Sequence, residues 1–237
     1  MENRPYIICH MLQSIDGKVT GDFLFDPALE TATEIYYEIN REYRADAFAC
    51  GRVTMQGSFT GDFYPDLSAF DGVNVPDGDF AYDKEHGFYA VSFDRKGRVG
   101  WTKSIIEDED PGYGGAHIIE VLCEDLVDKR YLAYLRKIGV SYIFGGKTEI
   151  DIPLCLEKLN KTFRIKTLLL EGGSIINGAF ENEGLVDELS LVVAPVCAPA
   201  GSKPLFTDGK GFNFTLSSFE QKDCGAVVLK YKRGDIA

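Results

Sequence analysis

Leu168-Leu169-Leu170-Glu171-Gly172-Gly173-Ser174-Ile175-Ile176-Asn177-Gly178 runs from an apolar strand through two glycines straight into a helix. A step of this kind belongs to α/β proteins, in which strands alternate with helices around a largely parallel sheet. The start of a helix leaves backbone N–H groups unpaired, and glycines let a phosphate approach them closely. The same two glycines equally serve a tight turn for its dihedral angles alone, and the full G-x-G-x-x-G fingerprint is absent. Spacing alone leaves both readings open.

Working outward, the same alternation fills most of the chain. Residues 6–9 read as a buried first strand. Asp26-Pro27 is a helix entry, with an N-capping carboxylate and proline in the first turn. Ile35, Ile39 and Tyr43 then form one helical face. Residues 47–50, 88–93 and 118–123 are short apolar strands. Asp128 caps a helix whose Leu132, Leu135 and Ile138 face inward and which Gly139 closes. Residues 140–144 form a strand, and Asp151-Ile152-Pro153 opens a helix with Leu156, Leu159 and Phe163 on one side. Residues 188–194 and 227–232 are late strands with no helix between them, which places antiparallel partners at one edge. No repeat, linker or compositional break divides the chain, so residues 1–237 read as one α/β domain. Residues 60–87 differ in texture: an acidic, turn-rich excursion, either a lid or an insertion.

Composition limits the partners. The 37 acidic residues against 25 basic ones give a formal charge of −12, which excludes a broad nucleic-acid or anionic-membrane surface. An anionic small molecule has to be held locally, by backbone amides or a few placed cations. The six cysteines include no C-x-x-C pair, and His10, His86 and His117 form no ligand spacing, so no metal site is expected. The apolar N-terminus is too short for a signal peptide, and Pro195 and Pro199 break the longest uncharged stretch near the C-terminus. The expectation is a cytoplasmic protein with reduced thiols.

Three further motifs carry possible chemistry. Cys50-Gly51-Arg52-Val53-Thr54 follows a strand, and Thr54 is expected to cap a helix while Arg52 adds charge for a phosphate. Its bland reading is a capped helix with an exposed arginine. Two such strand-end anion sites suit a dinucleotide pyrophosphate better than either alone. Ser14-Ile15-Asp16-Gly17-Lys18 offers a carboxylate and an ammonium at the mouth of the sheet, although Asp-Gly is first of all a turn. Ser92-Phe93-Asp94-Arg95-Lys96-Gly97-Arg98 reads either as a solvated hairpin tip, with Gly97 left-handed, or as a pocket for a 2′-phosphate.

Together these motifs, with Gly184-Leu-Val-Asp-Glu-Leu-Ser190, resemble in content and order the pyrimidine reductases of riboflavin biosynthesis, the reductase domain of the bifunctional deaminase-reductases. These belong to the dihydrofolate-reductase-like superfamily. The resemblance runs from about Arg4 to Lys232. It implies a three-layer α/β/α fold with a mostly parallel central sheet and antiparallel C-terminal edge strands. It also implies NADPH as hydride donor and a homodimer. By resemblance, Gly172, Gly173, Ser174 and Ile175 receive the pyrophosphate, and Gly51, Arg52 and Thr54 lie on the other side of the cofactor. Ser92 and Arg95 touch the 2′-phosphate, and Ser14, Asp16, Lys18 and Glu171 contact the substrate. The implied reaction reduces the open-chain imine of a ribosylaminopyrimidine 5′-phosphate, or of a related heterocycle, to the ribitylamino product. No catalytic acid is singled out.

Two departures stand against the family pattern. Met55-Gln-Gly-Ser-Phe-Thr-Gly-Asp62 replaces the usual Asn-Pro-x-Leu run and arginine, and the acidic stretch that follows counts against a phosphorylated substrate. The H-x-E and P-C-x-x-C motifs of the zinc deaminase do not occur, so reductase chemistry alone is expected. The competing readings are a dihydrofolate or pterin reductase using Glu30 or Glu34, a non-catalytic dinucleotide-binding protein, and a scaffold whose glycine turns are structural.

Overall fold

The computed structural model describes residues 3–234. In chain order the elements are β1 (Tyr6–Ser14), α1 (Glu30–Tyr43), β2 (Ala47–Gly51), α2 (Arg52–Met55), β3 (Tyr89–Phe93), β4 (His117–Leu122) and α3 (Lys129–Ile138). There follow β5 (Ser141–Phe144), α4 (Ile152–Phe163), β6 (Thr167–Leu170), α5 (Ser174–Asn182), β7 (Glu188–Ala194), β8 (Phe214–Gln221) and β9 (Val227–Arg233). The strands form a nine-stranded sheet in the order β5-β4-β3-β2-β6-β1-β7-β9-β8. The pairs β1/β7, β2/β3, β3/β4 and β4/β5 are parallel, whereas β9 runs antiparallel to β7 and β8. This is the expected mostly parallel α/β sheet with antiparallel strands at one end. β8 carries no clear strand pattern in the sequence, because a bulge between Leu216 and Ser218 breaks the two-residue alternation by which a strand is recognised.

The chain divides into two compact units, one of residues 3–5 and 45–168, the other of residues 6–44 and 169–234. In the first unit β3 and β4 are buried along their whole lengths, as strands covered on both faces must be, hence their apolar runs. Asp128 accepts a hydrogen bond from the Arg130 amide and Asp151 from the Leu154 amide, so the helix starts are those the sequence signals. Thr54 is a correction. It lies inside α2, and the residue before that helix is Gly51, which has no side chain to cap it. The turn after β3 also differs from a hairpin tip. β3 and β4 are parallel, so the chain leaves the turn and must travel residues 98–116 before re-entering the sheet.

The acidic excursion is a docked strap rather than an open lid. Phe80 exchanges both backbone hydrogen bonds with Tyr142, covering the edge strand β5, and the Tyr82 amide donates to the Ser141 hydroxyl. Its carboxylates are fasteners: Asp71 pairs with Arg130, Asp79 with Lys158, Asp83 with His86 and Glu85 with Arg164. Three of the excursion's seven carboxylates, Asp71, Asp79 and Glu85, thus face an arginine or lysine.

In the second unit, Ile35 and Ile39 of α1 pack into a core with Leu12, Val192 and Val228. Beside them His10 is fully buried. Its Nε2–H donates to the Tyr36 carbonyl at 2.9 Å, and its Nδ1 accepts from the Ser190 hydroxyl at 3.0 Å. Burial pushes its pKa down to about 4, overcoming the hydrogen bonds that favour the charged form. Folding therefore holds His10 neutral, while the unfolded chain binds its proton below the ordinary histidine value. This stabilisation is fully present above pH ~6.5, is lost as pH falls toward 4, and amounts to about 3 kcal/mol. Urea unfolding across this range should show a shallower pH dependence for His10→Gln than for the parent chain.

Candidate functional site

The second unit carries most of the candidate residues. Glu171 follows the end of β6 and is buried, and the Asn40 side-chain amide on α1 donates to its Oε1 at 2.7 Å. Asn40 gave no sequence signal beyond being a polar residue one position from an apolar helical stripe. Gly172 has φ 90, a backbone region that glycine alone enters freely, and a Cβ there would meet the Met11 methyl at 3.1 Å. A cis peptide joins it to Gly173. Gly173 precedes α5 and offers no side-chain cap, so the amides of the first turn keep their hydrogen-bonding capacity. Ile175 in that turn is 66% exposed, which leaves the helix start open. Ser174 is different. Its hydroxyl is buried and bonded to the Pro204 carbonyl and the Thr207 hydroxyl, so only its backbone remains available to a ligand.

The turn after β1 is built as tightly. The Ser14 hydroxyl donates to Asp16 Oδ1 at 2.7 Å and accepts from the Lys18 amide at 3.0 Å. Asp16 also accepts from the Ala198 amide at 2.9 Å, and these hydrogen bonds, with help from the Lys18 charge, hold its pKa below the usual carboxylate value. Ser14 is fully buried, so Ser14 and Asp16 shape the turn and Lys18 is left as its half-buried cation. Residues 195–207, of which the sequence shows only Pro195 and Pro199 in the uncharged stretch that ends at Ser202, tie these pieces together. The Ile15 and Val19 amides donate to Val196 and Lys203, and the Thr207 amide donates to the Ser174 carbonyl. The Asn177 side-chain amide donates to the Leu205 carbonyl, and Gly178 has no room for a Cβ beneath the Thr207 carbonyl.

The first unit holds the remaining candidates. Arg52 opens α2 and donates to Gln56 on the next turn, and Gly51 ends β2. Ser92 does not reach solvent. It is fully buried, in register with Glu120. Glu120 itself lies in the interior with Trp101 Nε1–H donating to it; burial, with the nearby Asp94, raises its pKa well above the ordinary carboxyl value. Below the turn, Asp94 accepts from the Arg98 and Val99 amides, the latter at 2.8 Å. Gly97 is left-handed, as expected, and a Cβ there would strike the Tyr131 ring. Arg95 therefore projects from a rigid turn and pairs with Glu149 at 2.6 Å. Glu34 is engaged by Arg41 on the exposed side of α1, and Glu30 stands exposed at its start, which leaves the pterin-reductase reading without a carboxylate suited to it.

Strands of a parallel sheet ending in glycine-rich turns, with a buried carboxylate at one of them, make an α/β scaffold of the kind that docks ligands at its strand ends. Residues 114–228 match the family model described as RibD C-terminal domain. The chain is 28% identical over 231 residues to 2,5-diamino-6-ribosylamino-4(3H)-pyrimidinone 5′-phosphate reductase of Methanothermobacter thermautotrophicus, covering 97% of this chain and 92% of that one. Among solved structures it is similar to a pyrimidine reductase-like protein of Corynebacterium diphtheriae, with a TM-score of 0.71, 17% identity, and coverage of 99% of this chain and 94% of that one. A riboflavin biosynthesis reductase of Saccharomyces cerevisiae gives a TM-score of 0.63, 15% identity, and coverage of 99% and 92%. At these identities the structures speak to the fold.

The Asn40–Glu171 bond yields a stability prediction. Asn40→Leu removes a donor from a buried carboxylate and should lower unfolding free energy by about 1–3 kcal/mol. Chemical denaturation measures it, and an unchanged midpoint would contradict the arrangement described.

Proposed function

We propose that the chain is an NADPH-dependent reductase of 2,5-diamino-6-ribosylamino-4(3H)-pyrimidinone 5′-phosphate. The observation that carries this reading is the Glu171-Gly172-Gly173 step into the uncapped, open start of α5. Free amides at a helix start, reached over glycines, fit the phosphates of a dinucleotide. In the second unit the backbone of Gly172, Gly173, Ser174 and Ile175 takes the pyrophosphate. In the first unit Gly51, Arg52 and Thr54 line the cofactor, and Arg95 takes the 2′-phosphate. When bound, the cofactor supplies a hydride.

The chain's own residues bind and orient the substrate. Glu171, its carboxylate aligned by Asn40, accepts hydrogen bonds from the pyrimidine edge, while Lys18 offsets negative charge on the substrate. Ser14 and Asp16 act through the backbone of the turn that presents Lys18. The phosphorylated substrate is the one named for the relative of Methanothermobacter thermautotrophicus, and three carboxylates of the acidic strap are already engaged by Arg130, Lys158 and Arg164. The chain works in the cytoplasm by this reading; among the described residues no helix is long and apolar enough to cross a membrane.

The reading extends to a homodimer with a definite contact. The bulge in β8 brings Leu216 opposite Tyr231 and Phe219 opposite Leu229, so the four share one face of the hairpin. Phe219 is 72% exposed and Leu216 47%. An uncharged apolar face on a chain of charge −12 is where two copies meet with least repulsion. Phe219→Glu should convert a dimer to a monomer by light scattering, and a parent chain already monomeric would remove this part of the reading.

Purified protein should oxidise NADPH, followed by its near-ultraviolet absorbance, only when the ribosylaminopyrimidine phosphate is present. Gly173→Val should abolish NADPH binding by blocking close approach to the backbone. Normal binding by a folded Gly173→Val variant contradicts the pyrophosphate assignment, and binding without turnover favours a non-catalytic dinucleotide-binding protein.

A further inference from the structure

Arg95 and Glu149 stand 54 positions apart in sequence, yet Arg95 Nη1 donates to Glu149 Oε2 at 2.6 Å. Neither backbone position is loose. The Arg95 carbonyl accepts from the Cys123 amide at 3.0 Å, and the turn that carries it is braced from below by Asp94. Glu149 sits in a loop closed by the Asp151 amide donating to the Gly145 carbonyl at 2.8 Å. Gly146 approaches the Glu149 carbonyl so closely that no Cβ fits there. The two loops follow β3 and β5, parallel strands on either side of β4, at the carboxyl ends where open α/β sheets dock ligands.

Each side chain has its own chemistry toward an adenosine ribose. A guanidinium holds a 2′-phosphate, and a carboxylate accepts a hydrogen bond from a free 2′-hydroxyl but repels a phosphate. Here both groups occupy one point. We infer that Glu149 sets the dinucleotide preference of this chain, by competing with a 2′-phosphate for Arg95 and offering its carboxylate to the 2′-hydroxyl of NADH. The inference rests on the cofactor reading given above, with Arg95 at the 2′ position. Both side chains are well exposed, so water and salt weaken the pair and displacing Glu149 carries only a modest cost. The chain therefore accepts NADH as well as NADPH, its preference for NADPH held to a modest ratio that a single carboxylate adjusts.

Calorimetric titration of the full chain with NADPH and with NADH tests this without requiring turnover. Adenosine 2′,5′-bisphosphate and AMP serve as probes of the adenosine end alone. The parent chain should bind the two dinucleotides within about tenfold of each other. Glu149→Gln should tighten NADPH by about 3- to 10-fold with no gain for NADH. Arg95→Ala should weaken NADPH about 10-fold or more and leave NADH within about 2-fold. Thermal melts establish that both surface variants are folded.

If Arg95→Ala shifts the preference toward NADH and Glu149→Gln leaves it unchanged, the cofactor reading stands and the role of Glu149 is overturned. Equal tightening of both dinucleotides by Glu149→Gln overturns it as well. If neither variant changes the ratio, Arg95 is not at the 2′ position and the inference falls with that assignment. A parent chain that binds neither dinucleotide overturns the cofactor reading itself.

Discussion

Close backbone packing at the start of α5 is the constraint on which the candidate site depends. Gly172 adopts a positive φ against Met11, and Gly178 leaves room for the Thr207 carbonyl on the helix. Because the loop of residues 195–207 is pinned there, it is also fixed where it meets the turn after β1, through Asp16 and Ala198 and the ladder between Val19 and Lys203. One short run of small residues thus positions a strand end, a helix start and a turn bearing a lysine. A side chain larger than hydrogen at Gly178 would push the loop away and with it the turn that presents Lys18.

The acidity of the chain has a similar local explanation. Most of the carboxylates described above do structural work at short range. Asp128 and Asp151 cap helices, Asp94 gathers the amides of a turn, Asp16 bridges two loops, and Asp71, Asp79 and Glu85 fasten the strap to the first unit. A carboxylate that accepts backbone amides or faces an arginine contributes little field beyond a Debye length, roughly 8 Å at physiological salt. A net charge of −12 is thus compatible with binding phosphates at helix starts and at single cations.

The sheet was largely legible in the sequence, since strands buried on both faces show as continuous apolar runs and the caps Asp128 and Asp151 are local signals. What was not legible depends on distant contacts. Ser92 stands just before a run of cations, but β3 is buried on both faces and Ser92 lies there in register with Glu120, 28 positions on in the sequence. Thr54 looks like a cap, but α2 begins at Arg52. The partnership of Asn40 with Glu171 spans 131 residues, and no spacing rule reaches that far. Glu149 gave no signal at all, because its meaning comes only from the arginine it faces.

Isotope transfer follows the proposed delivery of hydride to the ribosyl carbon of the pyrimidine substrate. NADPH deuterated at the nicotinamide C4 position, on the face that donates, would be turned over with the ribosylaminopyrimidine phosphate and the product examined by mass spectrometry and NMR. The expected product is a ribitylamino compound carrying one deuterium on the carbon bonded to the amino nitrogen. A reduced product without the label, or no product while the folded chain still binds NADPH, would contradict that delivery.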